Sequence, residues 1–177
     1  KRLIQRGVQT YMITNGYLIS EKYKRIVDSG IKRIGISVDG MEEHHNFIRQ
    51  SPNSFNKIFD GVKLLKENGI KYGAVTHVSK VNFPDLDEIY TLLVDNGFSF
   101  WQIQITFNSG RMKQHEDLSC TPEDMVDIAR FVEKKRKLGR MPVVAGDNFG
   151  YYSACEITNF TWKGCFAGRW LMGIDAD

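Results

Sequence analysis

The chain has 177 residues, of which 42% are hydrophobic and 25% charged, a composition typical of one globular domain with a sizeable core. Its net charge of +3 comes from 24 basic and 21 acidic residues spread along the sequence, which argues against a nucleic-acid or membrane-surface partner. No apolar run approaches the roughly 20 residues of a membrane helix. The three cysteines, at 120, 155 and 165, do not form the pattern of a disulfide framework, so we expect a cytoplasmic protein.

A glycine followed by an apolar residue and a β-rich run occurs four times in the first part of the chain. The last three of these glycines, Gly30, Gly69 and Gly97, each follow a segment with helical periodicity, and we expect them in the left-handed conformation past a helix end. The first of these helices is predicted to begin at Ser20 as N-cap. The predicted helices are 20–29, 54–68 and 84–96.

Strand and helix therefore alternate, which predicts βαβ units, a parallel sheet and an α/β fold. A further helix is predicted from Thr121, with Pro122 in its first turn. After it the sequence becomes rich in glycine and aromatic residues without a helical period. We place a boundary near Gly139.

Ligands of parallel α/β folds bind at the carboxyl ends of the strands. Polar side chains follow those ends here: Thr14 and Asn15 after the first strand, Ser37 and Asp39 after the second, and His77 near the end of the third. Each of them also suits a turn or a helix cap. Their concentration at one edge favours a binding site.

Two segments resemble the third and fourth strands of the radical S-adenosylmethionine (SAM) enzymes: "YMITNGYLIS" and "GIKRIGISVDGMEEHHNFIR". "GIKYGAVTHVSKVN" is similar to the fifth strand of that family and "FWQIQITFNSGRM" to the sixth. The stretch "WKGCFAGRW" resembles the start of a SPASM or twitch extension. By that resemblance Cys165 is the first cysteine ligand of an auxiliary iron–sulfur cluster.

The chain departs from this family in two ways. It contains neither the family's C-x-x-x-C-x-x-C loop for the catalytic cluster nor the glycine-rich stretch that follows the family's second strand and holds the amino group of SAM. We therefore expect a fragment that is inactive alone. Residues 1–139 would be part of a partial TIM-type barrel of parallel (βα) repeats, covering family strands three to six. Residues 140–177 would be a linker and the truncated start of the extension.

The resemblance implies a parent enzyme that reductively cleaves SAM to a 5′-deoxyadenosyl radical, with SAM and [4Fe-4S] clusters as cofactors. It favours the branch that modifies peptides or proteins, such as the anaerobic sulfatase maturases, with a reductant such as flavodoxin or ferredoxin. Two alternatives stay open: a non-catalytic α/β module that binds peptides, and an unrelated (βα) barrel enzyme acting on a small phosphorylated molecule.

The resemblance also implies which residues bind SAM. Arg49 stands at the family position whose planar guanidinium would bind the SAM carboxylate. Ser37 would bond to the ribose or the carboxylate, and Asp39 would accept from hydroxyls or brace Arg49. Phe107 falls where the family places an apolar contact to adenine.

Three residues are candidate substrate contacts, namely Thr14, Asn15 and His77. The neighbouring His44 and His45 are expected at the surface or at the rim of the SAM pocket, because adjacent side chains diverge and rarely share a metal.

The first strand would be an exposed edge if its neighbour in the family barrel is missing. We therefore expect dimerisation or edge pairing through residues 8–14.

Overall fold

The computed structural model describes residues 1–106, 115–146, 168–169 and 172–174. Five strands alternate with helices, and two 3₁₀ turns, at Phe83–Asp85 and Glu116–Leu118, precede helices. None of the described helices is long and apolar enough to cross a membrane. In chain order the helices and strands are α1 (Arg2–Gln5), β1 (Met12–Thr14), α2 (Ile19–Ser29), β2 (Arg33–Ser37), α3 (Glu42–Arg49), α4 (Ser54–Glu67), β3 (Lys71–Val78), α5 (Leu86–Asp95), β4 (Trp101–Ile105), α6 (Pro122–Leu138) and β5 (Val143–Ala145).

The five strands form one parallel sheet in the order β1-β2-β3-β4-β5, so each strand pairs with its neighbour in sequence. Right-handed crossovers that always step in one direction put every helix on the same side of the sheet. This is the arrangement of a (βα) barrel, and the described strands form part of one. The α/β fold predicted from the alternation of strands and helices is confirmed.

One face of the sheet carries the hydrophobic core, and the register shows how the strands build it. Ile34 lies opposite Tyr72, and Ile36 opposite Ala74, which in turn lies opposite Trp101. All of these side chains are buried, together with the apolar stripes of α4, α5 and α6. Because successive strand residues alternate between faces, the other face carries the intervening residues, and none of the helices in the described part of the chain packs on it.

Helix ends follow local sequence signals in most places. Gly30, Gly69 and Gly97 have φ of +83°, +66° and +75°, as predicted from their positions after the helical segments. At α6, the Thr121 hydroxyl accepts from the Asp124 N–H and the Thr121 N–H donates to the Asp124 carboxylate, which is a complete capping box.

The predicted N-cap of the first predicted helix was wrong. Helix α2 begins at Ile19 with Leu18 at the N-cap, and no side chain caps it. Ile19 is 2% exposed, so burial of an apolar residue extends the helix by one position beyond the polar start signal.

The strand β5 was missed in the sequence. It has only three residues, between Pro142 and Gly146, and pairs with β4 through Trp101–Val143 and Ile103–Ala145. The sheet therefore continues past the boundary near Gly139. The division of the chain into 1–139 and 140–177 stays a prediction, because residues 147–167 lie outside the described part.

Strand β1 lies at one edge of the described sheet, with Tyr11 and Ile13 each 56% exposed. An apolar side chain on an unpaired edge is a ready partner for another strand. Dimerisation through residues 8–14 stays a prediction.

Two glycines face each other on the helix-free side of the sheet, and only one of them has room for a side chain. Gly73 pairs with Gly35 in the register of β2 and β3. A Cβ on Gly73 would lie 2.1 Å from the Phe100 ring, whereas a Cβ on Gly35 would meet Ile13 and Val75 at 3.5 Å. The ring of Phe100 therefore occupies the space over Gly73.

We predict that Gly73→Ala lowers the free energy of unfolding by about 2 kcal/mol or more through overpacking. Gly35→Ala is the matched control and should change it by less than about 1 kcal/mol. Urea unfolding measures both, and equal effects would contradict this packing. Combining Gly73→Ala with Phe100→Leu should cost less than the sum of the single changes.

Candidate functional site at the strand ends

The carboxyl ends of β1, β2 and β3 lie side by side because the strands are parallel neighbours. Thr14 pairs with Ile36, and Ser37 pairs with Val75, two residues before His77. Three of the seven buried polar residues of the described chain, Asp39, Ser79 and Asn82, lie in the loops that follow these ends. Such an edge is where parallel α/β proteins bind ligands.

The centre of this cluster is the carboxylate of Asp39, which is 1% exposed. One oxygen accepts the His77 main-chain N–H at 2.9 Å, and the other forms an ion pair with the Arg49 guanidinium. A charge removed from water is tolerated only with such partners. The sequence suggested two roles for Asp39, to accept from ligand hydroxyls or to brace Arg49. The structure contains the ion pair that the second role requires.

The backbone before Asp39 is fixed to β3. The Val38 N–H donates to the Val75 carbonyl at 3.0 Å, and the Val38 carbonyl accepts from the Thr76 hydroxyl. That hydroxyl in turn accepts from the Trp101 indole N–H at 2.7 Å. Three adjacent strands are thus joined by one buried chain of hydrogen bonds, which holds the end of β2 in place.

His45 is completely buried and holds the same loop through a hydrogen bond to the Asp39 main chain. Its Nδ1 accepts the Asp39 main-chain N–H at 3.0 Å, so Nε2 carries the proton and donates to the Ser54 hydroxyl at 3.2 Å. Burial lowers the pKa of His45 from 6.5 to about 4; the charge of Asp39 opposes this shift and that of Arg49 adds to it. The expectation that His45 lies at the surface or at the rim of the SAM pocket was wrong. Its neutral ring is buried in the core, where it links the Asp39 main chain to Ser54.

His44 points the other way and is 38% exposed. Its Nδ1 lies 2.8 Å from the Asp85 carboxylate, which also accepts the Met41 N–H at 2.9 Å. The intervening Gly40 is tightly enclosed, since a Cβ there would lie 2.9 Å from the Cβ of His44. The "DG" pair of the sequence therefore needs its glycine for close packing.

Arg49 is the last residue of α3, and its side chain is 28% exposed. Its Nε is buried and has no hydrogen-bond partner among the described residues. Asp39 thus neutralises the guanidinium without using all of its donors. A guanidinium held in this way fits a ligand carboxylate, because its planar fork has further N–H groups to offer.

The structure separates the three candidate substrate residues. His77 lies on the helix-free face, exposed and opposite Gln104 in the register. Thr14 has the register of Ile36 on the helix-covered face, and its hydroxyl accepts the Gly16 N–H at 3.2 Å. Asn15 is exposed, and its side-chain oxygen accepts the Tyr17 N–H. Both Thr14 and Asn15 thus form the local turn, and their roles toward substrate stay predictions.

Of the remaining candidates, Ser37 is half-buried on the helix-free face. Phe107 and Cys165 lie outside the described residues, so the adenine contact and the cluster ligand stay predictions. Cys120 is buried; its thiol donates to the Val78 carbonyl at 3.5 Å, and burial raises its pKa to about 11.

Sequence reasoning missed Asn82, Gln102 and Gln104. Asn82 is fully buried and bonds to the ends of both β2 and β3. Its only signal was an isolated polar residue in "VNFP", which suits an ordinary loop. The glutamines alternate with apolar residues in β4 and could have been assigned to the open face from that alternation.

No group of three His, Cys, Asp or Glu side chains within the described ranges is arranged to hold a metal ion.

Comparison with known proteins identifies the family. The model of the radical SAM superfamily matches residues 1–93, and the chain belongs to that superfamily. Its members use SAM and a [4Fe-4S] cluster. The match excludes the unrelated barrel enzyme considered from the sequence.

Three relatives show which proteins the chain resembles in sequence. The chain is 28% identical to an AdoMet-dependent heme synthase of Oleidesulfovibrio alaskensis, over 82% of this chain and 38% of that protein. It is 28% identical to an Fe-coproporphyrin III synthase of Methanosarcina barkeri, over 76% and 34%. It is 34% identical to a cysteine-type anaerobic sulfatase-maturating enzyme of Clostridium novyi, over 50% and 25%. The chain thus spans well under half the length of these relatives.

Solved structures confirm the fold. Native anSMEcpe with bound AdoMet and Cp18Cys peptide superposes with a TM-score of 0.61 at 19% identity, over 77% of this chain and 40% of that one. A domain of pyruvate-formate lyase-activating enzyme from Bacteroides vulgatus gives 0.61 at 14% identity, over 82% and 86%.

The lowered pKa of His45 predicts acid sensitivity. The neutral ring contributes stability that is complete above pH 6.5 and is lost as the pH falls toward 4. Between pH 7 and about pH 4.5 this group alone should remove about 2–3 kcal/mol of unfolding free energy. His45→Asn, which keeps an acceptor for the Asp39 N–H, should have a shallower pH dependence over that interval. Parallel urea titrations of the two proteins would contradict the assignment if their pH slopes coincide.

Proposed function

We propose that this chain forms the SAM-binding half of the barrel of a radical SAM enzyme that modifies a peptide or protein. The observation that carries the proposal is the buried ion pair of Asp39 and Arg49 at the carboxyl edge of the sheet, with Arg49 Nε left without a described partner. Family membership supplies the ligand that such a site would bind.

Each residue of the site has a role that its chemistry allows. Arg49 binds the carboxylate of SAM through its remaining N–H groups, and Asp39 fixes the direction in which Arg49 points. Ser37 offers its hydroxyl to the ribose. When bound beside a reduced [4Fe-4S] cluster, SAM supplies the radical chemistry of this superfamily, while the described residues bind it, orient it and keep water away.

The substrate would lie against the helix-free face of the sheet. That face presents Ser37, His77 and the two β4 amides, Gln102 and Gln104, as hydrogen-bonding groups, with Val75 between Ser37 and Gln102 in the register. In an enclosed barrel these groups would orient a peptide beside the adenosyl group. An external reductant such as flavodoxin or ferredoxin would complete the system.

A tetrapyrrole is the second candidate substrate. The heme synthase and coproporphyrin synthase relatives match 82% and 76% of this chain, whereas the sulfatase-maturating relative matches 50%. A flat apolar substrate would use the exposed Ile13 and Val144 on the same face rather than its amides. The non-catalytic peptide-binding module stays a third reading.

The substrate classes separate in one assay on the full-length protein, reconstituted anaerobically with iron and sulfide and supplied with SAM and reductant. A sulfatase-derived cysteine peptide should raise the release of 5′-deoxyadenosine, whereas Fe-coproporphyrin III should not. The reverse result would establish the tetrapyrrole, and no release with either would favour the binding module.

The SAM site itself is tested by Arg49→Met in the same full-length protein. We predict about a tenfold or larger loss of SAM affinity, because a bidentate, charge-assisted contact disappears. Arg49→Lys should recover only part of it, since an ammonium lacks the fork.

Arg130→Met is the matched control, because Arg130 is an exposed arginine on α6 paired with Asp127 at 3.1 Å. It removes the same charge far from the site. Equilibrium dialysis, at a temperature where circular dichroism shows every variant folded, measures the affinities. Equal SAM affinity for wild type and Arg49→Met would overturn the proposed site.

A further inference from the structure

We propose that Asn82 is a positioning residue for the adenosyl ligand, since its buried side-chain amide ties the ends of β2 and β3 together and so sets where Asp39 holds Arg49. The inference rests on the proposed SAM-binding function and extends it to a residue on the loop after β3.

The side chain of Asn82 is 0% exposed and almost fully used in hydrogen bonding. Its Nδ2 donates to the Asp39 carbonyl at 2.7 Å and to the His77 carbonyl at 2.9 Å. Its Oδ1 accepts the Ser79 main-chain N–H at 2.8 Å. Two donors meet two carbonyls and the acceptor meets an N–H, so the orientation of the amide is fixed by its partners.

These contacts stand where the sheet itself stops. The regular pairing of β2 with β3 ends at Ser37 and Val75, and one more main-chain bond follows at Val38. Beyond that point no further main-chain hydrogen bond joins the two segments among the described residues, and side-chain hydrogen bonds join them instead. The Asp39 carboxylate accepts the His77 N–H, while Asn82 bridges the carbonyls of the same two residues.

Asp39 and His77 are thus joined on both sides by a closed ring of hydrogen bonds. Without Asn82, Asp39 would keep its carboxylate contact to the His77 N–H and the contact of its own N–H to His45, but its carbonyl would lose its partner and the peptide that follows could rotate. Because the ion pair with Asp39 is the contact that orients the Arg49 guanidinium among the described residues, a small rotation would move the ligand-binding N–H groups. A displacement of this kind reduces binding even though Asn82 touches no ligand.

The loop that contains Asn82 also holds the chain after β2 at a second residue, Met41. Three residues later, Asp85 accepts the Met41 N–H at 2.9 Å and contacts His44. The Asp85 N–H is itself bonded to the Asn82 carbonyl at 3.1 Å. The loop after β3 therefore clamps both Asp39 and Met41, which flank the enclosed Gly40.

The test compares Asn82→Ala and the milder Asn82→Ser with a control, Asn96→Ala, in the full-length reconstituted protein. Asn96 also donates its amide to a main-chain carbonyl, that of Leu92 at 2.8 Å, but at the end of α5. If Asn82→Ala does not fold, Asn82→Ser keeps one hydroxyl donor in a smaller side chain and carries the comparison. Binding of SAM is measured by equilibrium dialysis, and unfolding free energy by urea titration.

We expect Asn82→Ala to weaken SAM binding about tenfold, Asn82→Ser by an intermediate factor and Asn96→Ala by less than about twofold. A double-mutant cycle with Arg49→Met separates positioning from general destabilisation. If Asn82 acts through Arg49, adding Asn82→Ala to Arg49→Met should cost less than about threefold further affinity.

Two results would overturn the inference while leaving the SAM site intact. One is unchanged SAM affinity in both Asn82 variants. The other is full multiplication of the losses in the double variant, which would make the effect of Asn82 independent of Arg49. Absence of SAM binding by the reconstituted wild type would instead refute the proposed function, and this inference with it.

Discussion

A single buried carboxylate organises the strand ends of this protein. Asp39 follows β2, and its charge is removed almost entirely from water. Such a charge is stable only where partners compensate it, and the ion pair with the Arg49 guanidinium and the hydrogen bond from the His77 N–H do so. The other buried groups then meet the demands of the Asp39 main chain: neutral His45 accepts its N–H, and Asn82 donates to its carbonyl.

The sheet beneath this network explains why a site of hydrogen bonds can be rigid. The described helices cover one face, and the register stacks Ile36, Ala74 and Trp101 into a continuous buried layer there. Phe100 fills the space over Gly73 on the opposite face. Gln102 and Gln104 of β4 lie on that same face, at the register positions of Val75 and His77.

Local signals in the sequence predicted the local features. Glycine after a helical stripe predicted the left-handed ends at Gly30 and Gly97, and Thr121 with Pro122 predicted the start of α6. Such local patterns could not predict contacts between residues that are distant in sequence. Asn82 lies 43 residues from Asp39, and nothing around it indicates a buried bridge. The three-residue β5 likewise depends on its pairing with β4, a strand distant in sequence. The pairing of Asp39 with Arg49 was accessible because both lie in one family motif.

The contact that matters most is the hydrogen bond from the His77 N–H at the end of β3 to the Asp39 carboxylate. Amide hydrogen exchange of His77 measures this hydrogen bond directly. The His77 side chain is exposed, but its N–H is held by a carboxylate that water barely reaches. Its exchange should therefore be slow, comparable with that of the central β3 amides, and should accelerate strongly in Asp39→Ala. Exchange of the His77 amide at the rate of an open loop in the wild type would contradict the account.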